Sequence, residues 1–200
     1  MKDQVSFIPI GGIGDVTKNM YLYEYKDEIL IIDCGLGFAD ETMLGVDLLL
    51  PDISYLLSTN PAQSGVNLPA GRVGKKIVGM AITHGHEDHT GALPYILPQL
   101  AKKTGFSFPI FAGPLTAGLA NEKLNEFGIP VRVKAVDYEN GEIKLGSFTI
   151  SFIRVTHSIP DSSHIFIKTP VGNFYHGSDF KFDLTPFDGK KTDFLKISKA

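Results

Sequence analysis

The sequence predicts an α/β domain in which two β-sheets pack face to face with helices outside. Three observations carry the prediction. Apolar, β-branched stretches of strand length fall into two groups, each followed by helical spacing. Hydrophobic residues make up 43% of the 200, which suits one ordinary domain, or one layered domain and the start of another. Three of the six histidines fall between positions 84 and 89, where a strand pattern gives way to a helical one.

Residues 5–10 read as a short strand running into Gly11-Gly12-Ile13-Gly14, a loop that needs permissive backbone. Residues 20–25 and 28–33 read as a hairpin around Lys26-Asp27. Residues 34–51 are glycine-punctuated and irregular, and 52–57 look like a short capped helix. The stretch 59–75, with two prolines and three glycines, reads as a surface loop. Residues 77–83 form a mostly apolar strand. Leu93, Ile96, Leu97 and Leu100 then repeat at helical spacing over 91–103, where Pro94 fits a first turn and Pro98 is expected to kink or split the helix. A short strand at 110–112 precedes a second helix at 114–127, with Leu115, Leu119, Leu124 and Phe127 expected inward and Gly128 as its stop. Strands follow at 131–136, 142–145, 148–155, 165–169 and 173–176. From about residue 191 the pattern is helical with no stop signal, so the chain is expected to be part of something longer.

The formal charge of −3 gives no global basic footprint, so any contact with nucleic acid must rest on a local patch or on bound metal. A single cysteine, Cys34, excludes an internal disulfide. No apolar run reaches membrane-spanning length, and the start lacks a signal-peptide core. The expectation is a cytoplasmic protein with no membrane association.

The chemistry concentrates in Thr83-His84-Gly85-His86-Glu87-Asp88-His89-Thr90-Gly91. Residues two apart in extended chain point the same way, so His84 and His86 can grip one ion from the strand end. Asp88 and His89, past the turn, can face a second. Imidazole and carboxylate suit zinc or a similar divalent metal. The bland alternatives are a chance cluster on a solvated loop and a structural metal site, but structural zinc sites are closed and usually rich in cysteine, and none lies here. His157 and Asp179 each end a strand and become ligand candidates alongside the cluster. Asp33, at another strand end, reads either as support orienting a ligand histidine or as a simple turn residue. Cys34 and His164 read as packed side chains; His176, close to Asp179, reads as a weaker candidate for touching substrate. The glycine loop matches neither GxGxxG nor the P-loop pattern and reads as bordering the cleft.

At these residues the chain resembles the metallo-β-lactamase superfamily, whose hallmark is HxHxDH. It is similar in particular to the ribonuclease J family of the β-CASP branch, through Gly11 to Gly14, Lys18-Asn19-Met20, Ile32-Asp33-Cys34-Gly35, Met43-Leu44-Gly45-Val46-Asp47, Gly113-Pro114-Leu115-Thr116, His157-Ser158-Ile159-Pro160-Asp161-Ser162 and Asp179-Phe180-Lys181-Phe182-Asp183. The resemblance implies a four-layer αββα sandwich, of which residues 1–200 are the amino-terminal part, with the β-CASP insertion and the carboxy-terminal remainder absent. It implies two divalent ions, zinc with manganese or magnesium as alternatives. His84, His86 and His157 would hold the first, Asp88 and His89 the second, with Asp179 bridging and Asp33 in support. In relatives the second ion also takes a histidine downstream of the insertion. The implied activity is 5′-to-3′ exonuclease, endonuclease or both on RNA, in RNA processing and decay, by a homodimer or homotetramer at full length. Two such ions sharing one water lower its pKa from about 16 towards 7. The chain departs from the family at Gly14-Asp15-Val16-Thr17, where Gly-Glu-Ile-Gly is usual, and at Gly177-Ser178, where Thr-Gly is usual. The competing expectations are a thioester or lactam hydrolase on the same fold and a non-catalytic RNA-binding fragment.

Overall fold

Alternation along β-strands decides which side chains meet which layer. The computed structural model describes residues 3–58, 75–104, 108–139 and 141–200. Its elements run β1 (Val5–Pro9), β2 (Tyr21–Tyr25), β3 (Glu28–Ile32), β4 (Gly37–Phe38), β5 (Leu48–Leu49), α1 (Ser54–Ser58), β6 (Lys76–Ile82), α2 (Glu87–Thr90), α3 (Leu93–Thr104), β7 (Ile110–Ala112), α4 (Pro114–Glu126), β8 (Val133–Ala135), β9 (Glu142–Leu145), β10 (Phe148–Arg154), β11 (Ser163–Thr169), β12 (Gly172–His176) and α5 (Phe194–Lys199). The first sheet has the order β1-β2-β3-β6-β7-β8, antiparallel from β1 to β3 and parallel from β3 onward. The second has the order β12-β11-β10-β9 and is antiparallel throughout.

On β3, Ile29 and Ile31 face the helices while Leu30 and Ile32 face the second sheet; β6 divides Met80 and Ile82 from Val78 and Ala81 in the same way. Both faces of these strands are buried, as a sheet covered on two sides requires. From the other side, Phe148, Ile150, Phe152, Ile165 and Ile167 close the core between the sheets. The two-sheet prediction therefore holds, with α1, α3 and α4 on the outer face of the first sheet. Over the outer face of the second, Ser151, Ile153, Phe166 and Lys168 line a cleft with Lys196 and Lys199 of α5. Among the described residues, no helix is long and apolar enough to cross a membrane. Residues 59–74 of the expected surface loop lie outside the described residues.

Two local expectations are corrected. Pro98 neither splits nor ends α3, which runs from Leu93 to Thr104 around it. Its cost in a helix interior, about 3 kcal/mol, is outweighed by burying Leu93, Ile96, Leu97 and Leu100, at roughly 1.5–3 kcal/mol for each side chain. In α4 the inward face is Thr116, Ala117, Ala120 and Leu124. Leu115, Leu119 and Phe127 are exposed, with Phe127 against Tyr95 at its edge. Small residues let the helix come close to the sheet, and Leu119 turns instead towards Gly85.

Candidate metal centre

The histidine-bearing turn is a four-residue helix, too short to stand alone. Its backbone is pinned from both sides. The Asn19 amide donates to the Asp88 carbonyl at 3.0 Å, the Cys34 amide to the His89 carbonyl at 2.9 Å and the Leu36 amide to the Glu87 carbonyl at 3.1 Å. Gly35 sits so close that a Cβ there would stand 1.5 Å from the Asp88 carbonyl oxygen, so only glycine fits.

Two loops from the second sheet complete the site. The loop carrying His157 is tied to the β6 end by Ser163, whose amide and hydroxyl donate to the Thr83 carbonyl at 2.9 and 2.8 Å. Asp161, in the left-handed region at φ 59, anchors its far side. It accepts from the Leu115 amide at 2.9 Å and from Arg154 at 3.0 Å, and its carbonyl accepts from the Tyr138 hydroxyl at 2.6 Å. The loop carrying Asp179 is held by His164, whose Nε2 donates to the Ser178 carbonyl at 3.0 Å, and by a 2.9 Å contact between the Ser178 and Thr83 hydroxyls.

At the floor lies Asp33, fully buried at φ 62. One carboxylate oxygen accepts from the Thr83 amide at 2.7 Å; the other accepts from the Thr83 hydroxyl and from His89 Nδ1, both at 2.8 Å. An ionised carboxylate only accepts, so His89 Nδ1 carries a proton and Nε2 is the nitrogen turned into the site, where a bound cation would take the place of its proton. With its proton committed to Asp33, the Thr83 hydroxyl accepts from His84 Nδ1 at 3.1 Å, which leaves the His84 Nε2 lone pair facing His86 Nδ1, also at 3.1 Å. Burial and the neighbouring His89 charge push His84 down to about 3, so it is neutral at pH 7. Burial opposes a charge on His89, but Asp33 and Asp88 override it and raise His89 to about 10. Burial likewise works against ionising Asp33 and Asp88, and their histidine partners prevail and lower both.

The sequence candidates meet in two overlapping groups. Ligand atoms of His84, His86 and His157 lie within 4.8 Å of one another, as do those of His84, His89 and Asp179. Asp88 Oδ2 lies 3.4 Å from His89 Nε2 and joins the second group only through it. These donors fit a metal. Ring nitrogens of His84 and His86 face each other, and the buried Nε2 of His157 has no hydrogen-bond partner among the described residues, with Asp179 Oδ2 3.6 Å away. Imidazole nitrogens converging beside carboxylates are a cation-binding donor set.

Other candidates fall elsewhere. His176 is buried, its Nδ1 3.2 Å from the Tyr23 hydroxyl and its ring edge-on to Tyr21. Cys34 is fully buried, and burial pushes its thiol up, as suits a packed side chain. Sequence reasoning gave no role to Asn19, Thr83, Ser158 or Ser178, although Asn19 Nδ2 lies 3.3 Å from Asp88 Oδ2 and the Ser158 hydroxyl 3.5 Å from His86 Nε2. All four stand in or beside stretches quoted for the resemblance, but a lone hydroxyl or amide carries no spacing signal.

The metallo-beta-lactamase superfamily model matches residues 13–176. Ribonuclease J of Thermus thermophilus is 40% identical over 203 residues, covering 100% of this chain and 33% of that protein. Ribonuclease J of Synechocystis is 40% identical, covering 98% of this chain and 28% of its own length. The chain thus spans about a third or less of the relatives it matches. Among solved structures, an Enterococcus faecalis protein of unknown function superposes with TM-score 0.65 at 17% identity, over 88% of this chain and 44% of its own. The metallo-beta-lactamase fold protein YhfI of Bacillus subtilis does so with TM-score 0.59 at 17% identity, over 91% and 65%. At such identities the likeness is one of fold. With its two-sheet architecture, its histidine-bearing strand end and a family match over residues 13–176, the chain belongs to the metallo-beta-lactamase superfamily, in which ribonuclease J proteins align with its whole length.

Proposed function

We propose that this protein is a metal-dependent ribonuclease that hydrolyses RNA phosphodiester bonds. The observation that carries the reading is the meeting of His84, His86, His157, His89 and Asp179 in two overlapping ligand groups, with an unpartnered His157 nitrogen among them. His84, His86 and His157 would hold one ion, and Asp88 and His89 the other, with Asp179 shared between them; zinc suits this nitrogen-rich set best, with manganese or magnesium as alternatives. Two such ions would supply water activation and neutralisation of phosphoryl charge, chemistry that suits a mildly acidic chain acting on a polyanion.

The chain's own residues supply the rest. Asp33 orients the His89 ring and Thr83 the His84 ring through their Nδ1 atoms, so both present Nε2 to the site without reorienting. Asp179, its side chain 50% exposed, marks the side open to substrate. Support for RNA as substrate comes from the ribonuclease J relatives, and for that reason a thioester or lactam hydrolase and a non-catalytic fragment are not favoured. A cytoplasmic setting, a role in RNA processing and decay, and a homodimer or homotetramer at full length complete the reading on the same resemblance. The test is cleavage of 5′-monophosphorylated RNA by zinc-loaded protein at the length of its relatives, beside His86→Ala. Loss of cleavage in the variant is expected; equal cleavage by both removes the proposal.

A further inference from the structure

Asn19 lies between the glycine loop and α2 with 7% of its surface exposed. Its side-chain nitrogen is 3.0 Å from the Val16 carbonyl, 3.1 Å from the Asp88 carbonyl, 3.3 Å from Asp88 Oδ2 and 3.1 Å from His89 Nε2. The Tyr21 hydroxyl donates to its side-chain oxygen at 2.8 Å. The Val16 and Asp88 carbonyls settle which end of the amide faces them, because they only accept and so require the nitrogen, which leaves the oxygen to accept from Tyr21. Tyr21 is itself held, its ring stacked on Phe7 and edge-on to His176.

When an ion takes the place of the His89 Nε2 proton, the two amide hydrogens remain for three oxygens, one going to the Val16 carbonyl and the other shared between the carbonyl and the carboxylate of Asp88. Asn19 then holds Asp88 three ways, through its backbone amide, its side chain to the carbonyl and its side chain to the carboxylate. Among the described residues, no hydrogen bond joins Asn19 to His84, His86 or His157. We infer that Asn19, oriented by Tyr21, is a positioning residue that aims the Asp88 carboxylate and so sets the affinity of the second ligand group without touching the first. The inference rests on the two-ion reading above.

Calorimetric titration of metal-free protein with zinc separates the possibilities, with Asp88→Ala as the reference that identifies the second ion. Asn19→Ala is expected to weaken the second ion by about tenfold to a hundredfold, the usual effect of losing a ligand's hydrogen-bond partner, and to leave the first unchanged. Tyr21→Phe is expected to act in the same direction by less, because the amide remains but its orientation is freed. If Asn19→Ala does not fold, shown by its circular dichroism, Tyr21→Phe decides by the same criterion. Equal weakening of both ions, or no weakening, overturns the inference and leaves the two-ion reading standing. Wild-type protein that takes up fewer than two ions overturns that reading and the inference with it.

Discussion

The site has two halves that differ in kind. The half built on the first sheet, Asp33, Thr83, His84 and His89, is buried to 2% exposure or less and joined by hydrogen bonds of 2.7 to 3.1 Å. The half delivered by the second sheet, His157 and Asp179, is part-exposed, with the Asp179 carboxylate 3.6 Å from His157 Nε2 and 3.9 Å from His89 Nε2. The first half is a floor whose side chains are oriented whether or not an ion is present. The second is a rim whose loops are tied to Thr83 through Ser163 and Ser178, while the His157 and Asp179 side chains themselves make no hydrogen bond to the floor among the described residues. Floor residues should therefore report in stability and rim residues in metal binding.

The largest effect should come from Asp33→Ala. It strips acceptors from the Thr83 amide, the Thr83 hydroxyl and His89 Nδ1, all buried, and should cost about 3–5 kcal/mol, the usual penalty for breaking a buried charged pair. Urea unfolding of the metal-free protein measures it, and a loss under about 1 kcal/mol would erase the distinction between floor and rim. Gly35→Ala comes next. A Cβ there has no room beside the Asp88 carbonyl, so α2 must shift, at about 1–3 kcal/mol for forced overpacking, with zinc affinity falling in parallel.

Ser178→Ala sharpens the comparison because its hydroxyl bonds the Asp179 loop directly to Thr83. The expected loss is about 0.5–1.5 kcal/mol, as for one hydrogen bond. The smallest stability effect belongs to Asp179→Asn, expected within about 0.5 kcal/mol of wild type in metal-free protein. Zinc binding should nonetheless fall sharply, read by competition with a chelator. A substantial loss of metal-free stability in this variant would make the rim part of the scaffold.

Much of this was legible in the chain. The apolar runs within Glu28–Ile32 and Lys76–Ile82 marked two strands, and two groups of strands marked two packed sheets, while HGHEDH marked the candidate ligand turn because its residues are neighbours along the chain. His157 and Asp179 were visible only as strand-end residues, since 73 positions separate His84 from His157 and nothing local joins them. Asn19 and Ser178 gave no usable signal, because a buried polar side chain means something only once its partners are known.

The sequence by itself determined the periodicities, the strand-to-helix junction at His84–His89 and the donor types, all properties of neighbours along one chain. Tertiary structure alone decided that α4 turns Ala117 and Ala120 inward and Leu115 and Leu119 outward, and that Asp33 lies beneath His89. Hydrophobicity ranks side chains one at a time, whereas packing selects the combination of volumes that lets helix and sheet close. Hydrogen bonding at a buried carboxylate likewise depends on donors that only the closed fold brings within 3 Å.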